Sequence, residues 1–393
     1  MRLIHCIFGV FFAIAATASH AAEQVSFKGG SLTYGSGSID PVSFNGDAND
    51  VTIRLDIGVE VAIDHYFVNV VPTGGKTLIK EINIGNVMMT SPIVEGASVA
   101  IGGVRVANML VNLPDATVLN LFDENFSSYI QFPGLSSVSN LDIDLGDGSR
   151  VTMDRYYTDA TELKIDTPFA FPLTAITSGV IDLTYHPGPT TDPRLLLAMN
   201  SMGLDELTMN IQFNGSPDLA HDRVNSYAEM TVAFDQIGTI KLAVDLGLLN
   251  DAIVVLEEEL ERMHSNKLSE DELMDILTEE LFLAGFMNSF EFTISDSGGL
   301  DSLLTIYAAG EGISKADAVM TLMELLAMSI GPVAPNTYAM LAQPTQSFLE
   351  QGGRLSLSSS PSSPVPFATF LAVVAAPDAI ASIIGLNVTH RAE

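Results

Sequence analysis

The chain has 393 residues, of which 47% are hydrophobic, and its 48 acidic and 17 basic residues give a formal charge of −31. This charge repels nucleic acid and anionic lipid headgroups, so neither is expected as a direct electrostatic partner. The hydrophobic content excludes a largely disordered chain. We interpret the acidity as a solubility feature, and binding of divalent cations by the acidic surface is the alternative.

The N-terminus has the pattern of a secretory signal peptide. Arg2 precedes an apolar run from Leu3 to Ala16, and small residues around Ala21 and Ala22 form a cleavage site. The run is shorter than the ~20 residues of a membrane-spanning helix, so a membrane anchor is the weaker alternative. The only cysteine, Cys6, lies in this peptide. A mature chain without disulfides favours the bacterial periplasm, and secretion is the alternative.

The segment from Val25 to Asp166 is predicted to contain strand after strand, separated by Gly, Asp and Pro turns. Within it, the apolar run Val59–Val71 is interpreted as a strand covered on both faces. Gly102-Gly103 is interpreted as a turn that opens the next strand. The clearest hairpin is Leu141–Met153, because Asp147-Gly148 suits a turn that needs positive φ.

The segment Gly203 to Asp245 predicts an antiparallel meander. Leu207–Phe213 alternates between apolar and polar residues, as expected for a strand with one buried face. Asn214–Asp218 is predicted as a turn, Tyr227–Phe234 as the second strand, and Thr239–Asp245 as the third. Parallel strands would need longer crossover connections than these. The apolar face of the first strand consists of Leu207, Met209, Ile211 and Phe213.

From about Gly247 the sequence changes to helical spacing. The predicted helices are Ile253–Met263, Leu273–Leu281, Leu300–Ala309, Val319–Ile330 and Tyr338–Gln351. Ser314 is the predicted N-cap of the fourth helix, and Pro344 is expected to break or kink the fifth. Phe290–Ile294 predicts another strand among these helices, so this region is not a separate helical bundle. No predicted helix can span a bilayer.

These patterns predict an α+β fold with a large antiparallel sheet, either an open barrel or a curved meander, and C-terminal helices packed on it. The expected segments are a signal peptide at 1–22, a β-rich domain at 23–247 and a mostly helical region at 248–393. The helical region contains two or three added strands and can form one domain with the β region. About 370 mature residues allow one large or two ordinary domains.

The usual catalytic motifs do not occur in the sequence. There is no G-x-S-x-G nucleophile elbow, phosphate loop, dinucleotide fingerprint or H-E-x-x-H pair, and the mature chain has no cysteine for catalysis. Two groups, Asp218-His221-Asp222 and Asp142-Asp144-Asp147, imitate cation sites, but both are interpreted as solvated hairpin turns. We therefore assign no catalytic residue, metal or cofactor.

Several motifs in the C-terminal half form a recognisable series. They are Gly299, Leu300 and Leu304, then Pro364-Val365-Pro366-Phe367, and finally Ala376, Pro377, Ile380, Ile383, Gly385, Leu386, Val388 and Thr389. From about Gly203 to Thr389 the chain thereby resembles a family of uncharacterised exported proteins of Gram-negative bacteria. It more distantly resembles the AsmA-like and YdgA-like envelope proteins, which are associated with lipid handling or envelope assembly. That implication is a fold-level analogy, and it transfers no catalytic residues.

Taken together, the sequence predicts a non-enzymatic periplasmic protein that binds an apolar, lipid-like ligand or an envelope partner. The expected site is the space between sheet and helices, because adaptable apolar side chains outnumber any polar constellation. The candidate ligand-binding residues are Leu207, Met209, Ile211, Phe213, Leu322, Met323 and Leu326. The alternatives are a structural or protein-interaction module without a small ligand and, less favoured, a carboxylate-dependent hydrolase.

The signal-peptide prediction is tested by the mass of the exported protein. Expressed in a Gram-negative host, the full chain should be recovered from the periplasmic fraction with Ala22 or Glu23 at its N-terminus. Intact-mass spectrometry checks the cleavage site, and a chain that begins at Glu23 should stay in the cytoplasm. Recovery of the uncut chain in the membrane fraction would instead identify the segment as an anchor.

Overall fold

A computed structural model provides the structure of this protein. It describes residues 24–27, 30–40, 45–55, 58–73, 76–90, 97–111, 130–132, 134–163, 173–219, 223–249, 255, 258–259, 262, 275–276, 283–370 and 376–392. The predicted leader lies outside these residues, as do most of Ile253–Met263 and Leu273–Leu281. The chain forms two compact units, Met1–Glu162 with Ser178–Thr191, and Leu163–Thr177 with Asp192–Glu393.

The described part of the first unit is an antiparallel sheet. Its strands are β1 (Gln24–Phe27), β2 (Gly30–Thr33), β3 (Ser36–Ile39), β4 (Gly46–Leu55), β5 (Glu60–Thr73), β6 (Lys76–Thr90), β7 (Ala97–Val111), β8 (Ile130–Phe132), β9 (Leu135–Leu145), β10 (Arg150–Leu163) and β11 (Leu173–His186), of which the last crosses the unit boundary. Pairing runs β1–β2–β4–β5–β6–β7–β9–β10, while β3 pairs with β4 and β8 with β7.

The core of the first unit lies on one face of this sheet. Val51, Ile63, Val87 and Ile101 pair in register across β4 to β7, and all four are buried. The residues that alternate with them, such as Ala62, are exposed or half-buried. The sheet therefore has one apolar and one polar face, which is the usual arrangement for antiparallel strands.

In the first unit, the alternation of buried and outward-facing residues slips by one residue at one position in each of several neighbouring strands. We call the line of these positions across the sheet the crease. In β5 both Ile63 and Tyr66 are buried, and in β6 both Ile84 and Val87 are buried, so two outward residues separate each pair. The residues before and after each slip pair with one another across six neighbouring strands, so the slips lie side by side in the sheet. The crease residues, in order across the sheet, are Asp50, Asp64, Asn86, Gly102, Asn140 and Asp154.

The crease depends on backbone conformations that only a few residue types adopt readily. Asp50, Asn86 and Asn140, on alternate strands, have φ of 54°, 50° and 51°. Positive φ costs Asn and Asp less than other non-glycine residues, since their short polar side chains bond locally. At Gly102 a Cβ atom would lie 2.9 Å from the Cβ of Asn140, so a side chain at position 102 would crowd Asn140. The strand register is the same on both sides of the crease, so the slip in alternation is shared by neighbouring strands and differs from a β-bulge, which inserts an extra residue in one strand.

The crease explains two incorrect predictions. Val59–Val71 is not covered on both faces, because buried and more exposed residues alternate along β5. The slip after Ile63 moves this alternation by one residue, so that in the sequence the two halves look like one apolar run. Gly102-Gly103 is not a turn but lies inside β7. The predicted hairpin Leu141–Met153 is confirmed, with Ile143 paired to Val151.

The second unit combines an antiparallel meander with helices. Its elements are α1 (Pro193–Ser201), β12 (Leu207–Leu219), β13 (Arg223–Phe234), β14 (Gly238–Leu249), β15 (Gly285–Asp296), α2 (Gly299–Glu311), α3 (Lys315–Ile330), α4 (Pro335–Gln351), β16 (Arg354–Ser359), β17 (Val365–Pro366), a 3-10 turn (Pro377–Ala379), α5 (Ile380–Ile383) and β18 (Leu386–Arg391). Pairing runs β12–β13–β14–β15–β16–β18, with β17 beside β15.

The predicted α+β fold is therefore confirmed as an open meander with mainly C-terminal helices, but three local expectations fail. Asn214–Asp218 does not end the strand, since β13 supplies partners as far as Leu219 and cross-strand pairing outweighs local turn preference. Pro344 lies inside the continuous helix α4, so the break that was one of its two expected effects does not occur. Helix α1 was missed, although Asp192 as N-cap and Pro193 at its first position are a readable start signal.

Among the described helices, none combines the length and apolarity that crossing a membrane requires.

The crease predicts a strong dependence on residue type at Asn140. Asn140→Val should lower the free energy of unfolding by about 1–2 kcal/mol, because a β-branched residue resists positive φ. Asn140→Gly should leave it nearly unchanged. Urea denaturation followed by circular dichroism measures both variants.

The matched control for this prediction is Asp154→Val, at the facing crease position, where φ is not positive. It should not show the loss seen for Asn140→Val. Equal destabilisation of the two valine variants would mean that the backbone conformation at Asn140 is unimportant.

Candidate ligand-binding groove

The meander of the second unit has one apolar face, which is only partly covered by the described helices. Ile211, Val232 and Ile240 pair in a row that continues to Leu355 in β16. At that end of the face, the Ser359 hydroxyl donates to the carbonyl of Ile384, just after α5, at 2.6 Å. Helix α4 also contacts β16 and β18. On β13 and β14 the same face remains half-exposed.

Helix α3 is started by a capping box. The Ser314 hydroxyl accepts the backbone N–H of Asp317 at 3.1 Å, and the Asp317 carboxylate accepts the backbone N–H of Ser314 at 3.3 Å. The predicted N-cap at Ser314 is thus confirmed. The box satisfies two of the four N–H groups that a helix start leaves unpaired.

Helix α4 is capped by a residue distant in sequence. The carboxylate of Asp378 accepts the backbone N–H groups of Asn336 at 2.7 Å and Thr337 at 3.2 Å. Pro335 occupies the first helical position, where its missing N–H costs nothing. The four residues between α3 and α4 form a tight turn, so the two helices make an αα-hairpin.

A groove of about 690 Å³ runs along this hairpin, within the size range of ligand sites. Its apolar lining comes from α3, where Val319 is buried while Met320, although it lines the groove, is 58% exposed. Met323 and Ala327 continue this surface toward the turn, and Tyr338 closes it on the α4 side. The groove is open to solvent along its length.

The polar groups of the groove lie mainly at the end away from the turn. Lys315 forms an ion pair with Asp301 of α2, and the side-chain amide of Gln346 donates to Glu350 at 2.8 Å. Glu324 stands on the rim. Because Asp301 balances Lys315, the two glutamates give the groove a negative charge.

The predicted ligand-binding residues separate into three locations. Met323 lines the groove. Leu322 and Leu326 share an i, i+4 stripe with the fully buried Ala318, so their side of α3 packs into the protein. The remaining four lie on β12, which contributes nothing to the groove lining: Leu207, Met209, Ile211 and Phe213.

Sequence reasoning missed most of the groove, because it expected the site between helices and sheet. Helical spacing alone could have identified the α3 side of the groove, which consists of Val319, Met320, Met323 and Ala327. The α4 side could not be identified in this way, because it depends on how the two helices pack. Tyr338, Gln346 and Glu350 follow on α4 at spacings of eight and four residues.

The polar face of the meander has a ladder of charged and hydroxyl groups. The Tyr227 hydroxyl donates to Glu229 at 2.7 Å, and the Lys241 ammonium lies 2.9 Å from Glu229 and 3.9 Å from Glu291. The hydrogen bond from Tyr227, followed by the one from Lys241, lowers the pKa of Glu229. The same carboxylate raises the pKa of both Tyr227 and Lys241. The two contacts of Lys241 join β13, β14 and β15 and so act as cross-strand stabilisation.

Of the two acidic groups that imitate cation sites, the one formed by Asp142, Asp144 and Asp147 has other partners. Arg150 bonds Asp142 and lowers its pKa, Asp144 accepts the backbone N–H of Gly146 at 2.8 Å, and Thr190 bonds Asp147 and lowers its pKa. For the second group, His221 and Asp222 lie outside the described residues. Within the described part of the chain, no three His, Cys, Asp or Glu residues converge as a metal site.

A family model described as an uncharacterized protein matches residues 231–391, which include both helices of the groove. No curated protein matches the chain.

The ladder predicts an acid-dependent loss of stability. Because the folded pKa of Glu229 lies below its ordinary value of 4.5, its contribution is complete above that pH and is lost as the pH falls through the lowered value. The difference in free energy of unfolding between the native sequence and Glu229→Gln should therefore be constant near neutrality and shrink below about pH 4.5.

Urea denaturation at a series of pH values measures this difference. Tyr227→Phe should remove part of the same acid dependence, since it deletes the main hydrogen-bond donor. A difference that is independent of pH down to acid unfolding would contradict the role given to Glu229.

Proposed function

We propose that this protein is a non-enzymatic, exported protein of the Gram-negative envelope that binds an apolar, lipid-like ligand in the groove between α3 and α4. The observation that carries the proposal is the methionine-lined groove of about 690 Å³. Its supporting context is the secretory pattern of residues 1–22 and the resemblance to exported envelope proteins.

The exposed methionines favour a ligand over an empty groove. Met320 is 58% exposed in the folded chain, and covering apolar surface stabilises by roughly 25 cal/mol per Å². Methionine is unbranched and polarisable, so it adapts to chains of varied shape. An acyl chain lying along Val319, Met323 and Ala327 would gain this burial.

The charge of the groove restricts the head group of the ligand. Glu324 and Glu350 repel an anionic head, whereas Lys315 is engaged by Asp301. A neutral or zwitterionic head avoids this repulsion. We therefore assign the ligand to neutral or zwitterionic amphiphiles, such as acylglycerols, rather than free fatty acids.

Charge introduced at Met323 tests the groove directly. Met323→Asp should weaken binding of a fluorescent monoacylglycerol by about tenfold or more, because it places a carboxylate against the acyl chain. Fluorescence titration measures the dissociation constant, and unlabelled monoolein should displace the probe. The matched control is Leu303→Asp, at an exposed apolar residue of α2 outside the groove lining.

Native mass spectrometry of the protein purified from its own host provides an independent test. We expect a co-purifying amphiphile that the Met323→Asp variant has lost. The proposal is wrong if the native chain carries no ligand and binds no probe, or if both aspartate variants bind equally well.

A further inference from the structure

The groove between α3 and α4 has two chemically different ends. Its lining extends along α3 from Lys315 to Ala327, and along α4 from Tyr338 to Glu350. Because a tight turn joins the two helices, they run in opposite directions, and Lys315 and Glu350 lie at the end away from the turn. Each side of the groove is about 18 Å long at the rise of an α-helix.

The end away from the turn, which we call the polar end, offers both hydrogen-bond donors and acceptors. The side-chain amide of Gln346 donates to Glu350 at 2.8 Å. The amide also carries an oxygen, and the carboxylate a second one, so both residues can accept further bonds. The ammonium of Lys315 has three N–H donors. A hydroxyl group donates and accepts, so a hydroxylated head group matches the polar end.

From the polar end toward the turn, the lining becomes apolar. Val319 and Met323 form its middle part, and the exposed Glu324 on the rim is the last charged residue before the turn. Residues 325–349 contain no Asp, Glu, Lys or Arg. An acyl chain placed in the opposite direction would remove water from Lys315 and Glu350 without replacing its hydrogen bonds, which is unfavourable.

A residue outside the groove controls the charge of the polar end. Among the described lining residues, Lys315 is the only basic one. Asp301 of α2 does not line the groove, yet it holds the Lys315 ammonium in an ion pair. A carboxylate head group would have to compete with Asp301 for this ammonium and would also approach Glu350. A neutral head group meets neither obstacle.

We propose that the amphiphile lies with a neutral, hydroxylated head group at the polar end and its acyl chain toward the turn, and that Asp301 excludes carboxylate head groups by engaging Lys315. This inference rests on the proposed function, since it concerns the same groove. Asp301 acts through Lys315 and does not touch the ligand, so it is a positioning residue. Its effect is electrostatic and weakens as salt screens the charges.

Displacement of the fluorescent monoacylglycerol tests the role of Asp301. Monolaurin and laurate, which carry the same acyl chain, are compared as unlabelled competitors at neutral pH and low ionic strength. On the native chain, laurate should compete less well than monolaurin. On Asp301→Asn, laurate should compete about threefold better than on the native chain, in keeping with the strength of exposed ion pairs, and monolaurin equally well. In about 1 M salt this gain should be lost.

Two further variants separate an electrostatic role of Asp301 from a structural one. Asp235→Asn makes the same change in net charge at an exposed residue outside the groove lining, and it should not favour laurate. Lys315→Gln, added to Asp301→Asn, should abolish the gain, because the ammonium that laurate uses is absent. Circular dichroism verifies that each variant is folded.

The role of Asp301 is overturned if the native chain does not discriminate between the competitors, if Asp301→Asn leaves laurate unchanged, or if the gain persists without Lys315. In each of these cases the probe still binds, so the proposed function stands. A native chain that binds no monoacylglycerol overturns the proposed function and this inference with it.

The direction of the ligand is tested with labels at two positions of the groove. The only cysteine, Cys6, lies in the predicted signal peptide, so the mature chain offers no competing thiol. Ala316→Cys at the polar end and Ala327→Cys at the turn end each take a small trifluoromethyl label. A monoacylglycerol with a nitroxide at the end of its acyl chain should broaden the fluorine resonance at position 327 more than that at position 316. Equal or greater broadening at position 316 overturns the proposed direction.

Discussion

Paired residues on neighbouring strands of the first unit must point to the same face of the sheet if both are to be buried. When one strand shifts its alternation by one residue, its neighbours must therefore shift at the paired position. The crease meets this requirement in six strands at once. Positive φ at Asn86 and Asn140, with Gly102 between them, allows the shift without turning apolar side chains outward. The sheet thereby keeps one buried face on both sides of the crease.

The second unit also has a sheet with one apolar face, and helices cover part of that face. Its apolar face is covered at the β16–β18 end by α4 and the segment around α5, with Ser359 bonding the backbone near Ile384. The polar face is occupied by its own side chains, among which Lys241 links Glu229 and Glu291 across three strands. That ladder supports the sheet, and its groups already bond one another. The groove is formed by the helices α3 and α4 and not by the ladder.

The groove depends on one αα-hairpin. The capping box at Ser314 and the distant carboxylate of Asp378 fix the starts of α3 and α4. Met320, Met323 and Ala327 line the space between the two helices. No Asp, Glu, Lys or Arg occurs at residues 325–349, so the surface near the turn favours apolar contacts.

The sequence alone determined the features set by local interactions: the antiparallel meander, the Leu141–Met153 hairpin, the N-cap at Ser314 and the α+β class. Alternation, turn residues and caps act within a few residues, so they can be read directly. Only the tertiary structure decided which residues of β5 are buried on each side of the crease, and which residues line the groove. The crease requires facing residues from strands far apart in sequence, and the groove requires a particular packing of α3 on α4. Neither interaction leaves a signal within a single segment, because each depends on which distant residues become neighbours.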